Sequence, residues 1–337
     1  MSLAELPPNQ RLIDSYGRVH NNLRISVTDR CNLRCIYCMP EEVVFLDKGD
    51  LLSFEEMTRF VSVAASLGVN KLRLTGGEPL LRKDLATLAA MLSRIPGIND
   101  LGLTTNGLLL AQQAQALFDA GVHRLNLSLD TLDPNRFREL ARRDGLDLVL
   151  RGIEKAQSVG FANIKVNAVI IRGINDMDVV PLARYGREQG VQMRYIEYMP
   201  IGAESWERSK CYFAHEIMEQ LEEAFGPLLP AHDYDPRHPA MEFEYADGGG
   251  RIGIIASVSR PFCKQCNRLR LTADGKLRHC LFALEEDDVK PLLRATTFDE
   301  AALASLIQGN VASKWEGHEI NSAQFVKPGR TMHAIGG

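Results

Sequence analysis

Apolar and polar residues alternate over Leu23–Thr28 (LRISVT), the two-residue period of a half-buried strand. From there the chain settles into a strand–helix rhythm. Ser53 and Glu56 carry a capping-box pattern opening a helix of about fifteen residues, which Gly68 stops. A strand is expected at Lys71–Thr75, then a GGEP turn and a helix from Asp84 to Ile95, closed by Pro96-Gly97. Further strands fall at Asp100–Thr105, His123–Leu129, Asn163–Ile170 and Val191–Tyr198. Helices between them are expected at Leu109–Ala120, Pro134–Arg142, Leu146–Val159 and Asp176–Gln189.

Six strands alternating with helices predict parallel βα units. The fold class is α/β: a partial (β/α)6 TIM-type barrel over residues 23–225, with a wide mouth. Residues 1–22, with Pro7 and Pro8, read as an irregular lead-in. Residues 226–337 predict a smaller C-terminal α+β domain closing that mouth. It would hold a Pro-rich linker over Gly226–Pro239, a hairpin of Met241–Tyr245 with Arg251–Val258, and a second hairpin turning at Asp274-Gly275. Thr297 and Glu300 predict another capping box for a last helix reaching Gln308; the tail beyond Gln324 has no periodicity. Ligand chemistry in such folds gathers at the carboxyl ends of the strands. The unusual residues stand there: cysteines after the first strand, Gly76–Pro79 after the second, Thr104–Asn106 after the third.

Composition changes this picture only by exclusion. Lysine plus arginine total 39 against 43 acids, a net −4, so no basic excess points to nucleic acid. No run of eighteen apolar residues predicts a membrane span, and the N-terminus has no signal-peptide pattern. Six of the seven cysteines fall in two clusters, which in a chain without export signals predicts metal in a reducing, cytoplasmic compartment.

Cys31, Cys35 and Cys38 form C-x3-C-x2-C within DRCNLRCIYCMP. Three thiolates from one loop can hold three irons of a cubane and leave the fourth open; structural zinc wants four closed positions. Cys263, Cys266 and Cys280 make a second triplet, which alone reads as half a zinc ribbon, with His279 or Cys211 as a fourth ligand. Against zinc, His279 and Cys280 as strand neighbours would face opposite ways. Arg268 and Arg270 would share one face, as suits a polyphosphate. Cys211 otherwise reads as a free thiol.

The first triplet, with Tyr37 before its third cysteine, resembles the signature of the radical S-adenosylmethionine (SAM) enzymes. With GGEP, the run CNRLRLT, the second triplet and the terminal Gly-Gly, the chain from Leu23 to Gly337 resembles the GTP 3′,8-cyclase family of molybdenum cofactor biosynthesis. That resemblance implies a lyase with two [4Fe-4S] clusters on the six cysteines. The first cluster would split SAM, and the resulting 5′-deoxyadenosyl radical would take hydrogen from ribose C3′ of GTP. Attack on C8 would give (8S)-3′,8-cyclo-7,8-dihydroguanosine 5′-triphosphate. It implies SAM contacts at Tyr37, Gly77, Ser128 and Met199, and GTP contacts at Arg24, Arg73, Thr104, Lys165, Arg268, Leu269 and Arg270. Arg194 resembles a further arginine near the chemistry, and Glu78 a group holding the SAM ammonium or capping its own turn. Gly336 and Gly337 would thread into the cavity, bringing a carboxylate to the arginines. Implied partners are an external electron donor and a downstream cyclic pyranopterin monophosphate synthase, with the chain a monomer or homodimer. Met332-His333-Ala334 departs from the family's serine-containing tail, and His279 from its small residue or proline. Two rivals remain: a radical SAM enzyme with an auxiliary cluster acting on a peptide, and a non-enzymatic zinc scaffold.

Overall fold

The computed structural model describes residues 11–202, 206–235 and 237–336. Six strands appear in the predicted order: β1 (Asn22–Ser26), β2 (Lys71–Thr75), β3 (Asp100–Thr105), β4 (Arg124–Ser128), β5 (Lys165–Ile170) and β6 (Gln192–Glu197). They are parallel and paired in sequence order. Between them run α1 (Phe54–Ser66), α2 (Leu85–Ser93), α3 (Leu110–Asp119), α4 (Pro134–Ala141), α5 (Leu146–Val159) and α6 (Val179–Gln189). The Ser53–Glu56 capping box is present: Glu56 N–H donates to Ser53 Oγ at 3.1 Å, and Ser53 N–H to Glu56 Oε2 at 2.7 Å.

The C-terminal third adds α7 (Ala214–Phe225), β7 (Leu228–Pro230), β8 (Met241–Tyr245), β9 (Arg251–Ile255), β10 (Arg268–Leu271), β11 (Lys276–Arg278) and β12 (Asp287–Asp288). Three helices close the chain: α8 (Lys290–Leu293), α9 (Glu300–Ala312) and α10 (Met332–Ile335). Its strands build on both edges of the barrel sheet. β10 pairs with β1 and β9 with β6, both parallel, so a single sheet runs β12-β11-β10-β1-β2-β3-β4-β5-β6-β9-β8-β7. The two ends of that order do not pair, and the barrel stays open.

Alternation along the strands sorts the layers. Leu23, Ile25, Leu72 and Leu74 are fully buried in the core under the helices, each stabilising the fold by about 1.5–3 kcal/mol. Arg24 and Arg73, between them, line the opposite, inner face. An all-parallel barrel interior is normally filled with branched apolar side chains; here it is lined by charge.

Three local expectations are corrected. The cap of α9 is Asp299, whose carboxylate accepts from Ala302 N–H at 2.9 Å, not Thr297, and the helix runs to Ala312. Aspartate sits closer to the first helical amides, and Glu300 is the first helical residue rather than the third. The described part of the lead-in is also ordered. Asp14 is bonded to Arg18 and to His20 Nε2 at 3.0 Å, and Arg18 reaches across to the carbonyls of Cys263 and Glu316, both at 2.7 Å. Buried ion pairs and solvated charges look alike in a hydropathy pattern. The aperiodic tail holds α10, a helix too short to register a period. Among the described residues no helix is long and apolar enough to cross a membrane.

Candidate active site

One cavity lies inside the open barrel at the carboxyl ends of its strands, and all six clustered cysteines line it. Cys31, Cys35 and Cys38 enter from the loop after β1. That loop is pinned to the end of α4 by Arg34 N–H to Ala141 O at 2.9 Å and Ile36 N–H to Leu140 O at 3.0 Å. Cys31 Sγ accepts from Leu33 N–H at 3.4 Å and Asn106 Nδ2 at 3.8 Å. Burial, with neighbouring acidic groups and thiols, raises the pKa of Cys31 to about 11 and of Cys38 to about 12, and drives that of Cys35 up as well. Left to themselves these are thiols. A metal centre that takes up their sulfurs displaces the protons and supplies the positive charge that the site lacks.

The GGEP run braces this loop. Gly77 N–H donates to Thr28 O, and Glu78 N–H to Arg30 O, both at 2.7 Å. A Cβ at Gly77 would stand 2.4 Å from Arg30 O and 2.5 Å from Asp29 O. The Glu78 carboxylate accepts from Leu80 N–H (2.9 Å), Thr105 Oγ1 (2.7 Å) and Asn106 N–H (2.7 Å). It therefore caps its own turn. Burial nonetheless raises its pKa to about 7 against those bonds.

Cys263, Cys266 and Cys280 lie on the loops flanking β10 and β11. Burial opposes ionisation of Cys266, but Arg268 and Lys314 bring its pKa down to about 5. His279 and Cys280 both line the cavity, contrary to the alternation expected of them: β11 ends at Arg278, and beyond it the strand period no longer applies. His279 Nε2 is buried without a hydrogen-bond partner. Cys211 does not join either triplet; it is buried, its thiol donating to Tyr198 O at 3.2 Å.

Register makes the inner face strongly cationic. Arg270, Arg24 and Arg73 are direct partners on the adjacent strands β10, β1 and β2, so three guanidiniums share one layer. Like charges placed side by side on a sheet repel. Burial and the neighbouring arginines hold the pKa of Arg24 and Arg73 well below normal, and that of Arg270 at about 9. Among the described residues no carboxylate pairs with Arg24, Arg73 or Arg270. Arg194, on β6, is buried and paired with Glu242, and its Nε has no partner. Lys165 Nζ stands 3.9 Å from the same carboxylate, outside the cavity lining itself. Thr104 and Arg268 line the cavity, whereas Leu269 turns into the apolar core, so only its backbone faces the neighbouring strands. Tyr37, Gly77, Ser128 and Met199 line the same cavity. Gly336 O accepts from Arg270 Nη1, and at φ +90° its Cα lies so tight that a Cβ would be 2.6 Å from Thr75 Oγ1. Gly337 lies outside the described residues.

Comparison with known proteins decides the family. The model of the radical SAM superfamily matches residues 25–186, and that of the molybdenum cofactor synthesis C-terminal region matches 191–320. A GTP 3′,8-cyclase of Rhodopirellula baltica is 46% identical over 97% of this chain and 92% of its own. One of Acidothermus cellulolyticus is 48% identical over 91% of this chain and 86% of its own. The chain belongs to the GTP 3′,8-cyclase family. The fold recurs in Streptococcus suis SuiB bound to S-adenosylmethionine, at 16% identity and a TM-score of 0.61, covering 87% of this chain and 69% of that one.

Several residues that shape this family member's cavity had no role assigned to them from the sequence. Asp130 accepts from Tyr37 Oη at 2.7 Å and from Val169 N–H at 2.8 Å. Asn106 ties the first cysteine to Asn32, and a Cβ at Gly202 would stand 2.2 Å from Tyr37 O. Asp130 and Asn106 offered a signal only by their places at the ends of the fourth and third strands, and Gly202 offered none.

Two predictions follow from this packing. Gly77→Ala drives a methyl group into the backbone of the cysteine loop and is expected to destabilise the fold by about 2 kcal/mol or more. Iron loading at the first triplet should fall with it; a wild-type melting temperature and iron content would contradict the close approach. Asp130 is raised by burial from 3.8 to about 6, against the bond from Tyr37. Its proton is held more tightly folded than unfolded, so its effect is nil below about pH 4, grows between 4 and 6, and is complete above. Stability should therefore fall as pH rises through that window, by on the order of 3 kcal/mol. Urea unfolding across it should show a slope that Asp130→Asn flattens.

Proposed function

We infer that this chain is a GTP 3′,8-cyclase, converting GTP to 3′,8-cyclo-7,8-dihydroguanosine 5′-triphosphate in molybdenum cofactor biosynthesis. The observation that carries this is the shared cavity: two cysteine triplets line it together with a layer of arginines that pairs with no side-chain carboxylate among the described residues. A cation row of that kind needs a polyanion, and a triphosphate supplies one. A peptide substrate would leave it unanswered.

The donor sets fit two [4Fe-4S] clusters, each with three thiolates and an open iron. When bound, the first cluster and SAM supply the radical that removes hydrogen from the ribose. The chain's own residues do the placing. Tyr37, Gly77, Ser128 and Met199 shape the SAM side, with Asp130 holding the Tyr37 ring. Arg24, Arg73 and Arg270 hold the phosphates, Arg194 stands near the reacting ribose, and Thr104 and Arg268 hold the nucleoside side, while Lys165, outside the cavity lining, shares Glu242 with Arg194. The inserted tail keeps Arg270 aimed inward through Gly336 O. One-electron equivalents come from an external donor, and the cyclic product passes to the next pathway enzyme.

Anaerobically reconstituted protein given SAM, GTP and a strong reductant should yield a nucleotide of GTP mass with altered retention. Formation of 5′-deoxyadenosine alone would defeat the substrate assignment. Deleting Gly336-Gly337 should cut the cyclic product roughly a hundredfold, the scale of a misplaced positioning group. Release of 5′-deoxyadenosine should persist. Intact cyclisation would make the tail a bystander.

A further inference from the structure

Lys314 follows α9 and is 5% exposed. Its ammonium donates to Cys266 Sγ at 3.4 Å and to Arg268 O at 2.9 Å. Among the described residues no carboxylate lies within ion-pair distance of it. It does not line the cavity, so a ligand bound there does not reach it. A buried ammonium without a counter-charge is costly. The negative charge that compensates this one is the sulfur of the second triplet and whatever that triplet holds.

The surroundings give the contact its place. Arg18 binds the carbonyls of Cys263, Trp315 and Glu316, locking the segment that carries Lys314 to the cysteine loop. Trp315 packs edge-on against His279, ring centroids 5.8 Å apart. Cys280 Sγ accepts from Phe282 N–H at 3.5 Å, a neutral donor. Arg268 and Arg270 also lie near, but they face the cavity, where a bound anion offsets them. Arg268 acts on Cys266 as well, and what sets Lys314 apart is its place outside the cavity lining.

We propose that Lys314 is a positioning residue for the second iron–sulfur cluster, its fixed positive charge at the Cys266 corner favouring the reduced state of that cluster. On reduction the cluster takes up one electron from the donor; no bond breaks and no proton moves. Hydrogen bonds to ligand sulfur and net local charge are the levers by which a protein sets such a potential. Removing the charge makes the added electron less favourable, and the potential becomes more negative. The inference rests on the second triplet holding iron.

The test is a potentiometric titration of the reconstituted two-cluster enzyme, followed by paramagnetic resonance on the signal that SAM leaves unchanged. K314M and K314Q are compared with K314R, with iron and zinc counted in each. The neutral variants should keep their iron and shift at least tenfold toward the oxidised cluster, about 59 mV for one electron. K314R should stay within about threefold of wild type. Loss of iron in the neutral variants alone would also assign the charge to the cluster. Unchanged potentials, or equal iron loss in all three variants, would make Lys314 a packing residue and overturn the proposal. Zinc in the second site of the wild-type protein would instead overturn the iron reading on which the proposal stands.

Discussion

Cys35→Ala is expected to abolish 5′-deoxyadenosine formation and to lower the iron content from about eight to about four per chain. Cys35 stands in the middle of the first triplet, half-buried and lining the cavity wall. The loop offers three sulfurs and no spare ligand: Asn106 and Asn32 are engaged with each other at 2.7 Å, and Cys211 is held elsewhere. Two thiolates do not retain a cubane whose fourth iron is already without a protein ligand. The second triplet lies on separate loops, so its cluster and its affinity for GTP should survive. Iron and sulfide counts, with chromatography of the SAM products, read both outcomes. Full iron and wild-type product would mean that the first triplet is not the cluster site.

Arg73→Ala should weaken GTP binding by roughly ten- to a hundred-fold, the loss of one or two hydrogen bonds to charged oxygens at about 1.5–3 kcal/mol. Its effect on the ligand-free chain separates this role from a structural one. Arg73 stands beside Arg24 in register and has no acidic partner among the described residues, so removing it relieves repulsion. The melting temperature should hold or rise while affinity falls. Calorimetry of GTP binding, with thermal unfolding of the same sample, tests the pair. A lower melting temperature with unchanged affinity would make Arg73 a core residue of the barrel.

Much of the barrel was legible because its signals are local. Lys71–Thr75, Asp100–Thr105 and Leu146–Val159 occupy their predicted spans, since alternation, helical period and glycine punctuation act within a few residues. What joins β10 to β1 and β9 to β6 is not local. Arg270 and Arg24 are partners across more than half the chain, and nothing in either segment records the pairing. The C-terminal third was therefore legible as a segment closing the mouth, but not the pairing by which its strands extend the barrel sheet at both edges.

The site divides along the same line. Cysteine spacing and strand-end position placed both triplets near ligand chemistry, and the family resemblance supplied most of the cavity wall. The roles of residues acting through another residue were not legible. Asp130 matters through Tyr37, Gly202 through the backbone of Tyr37, and Lys314 through Cys266. A lone lysine after a helix reads as solvated, and only burial without a carboxylate partner distinguishes it. The strand argument also misjudged His279, because it assumed that the strand ran on past Arg278.

The central claim is that the SAM side and the purine side share one cavity, close enough for a single hydrogen to pass between them. GTP carrying deuterium at C3′, turned over by the reconstituted enzyme, tests it most directly. The account predicts deuterium in 5′-deoxyadenosine and a cyclised nucleotide that has lost it. Unlabelled 5′-deoxyadenosine, with the labelled GTP recovered intact, would contradict it.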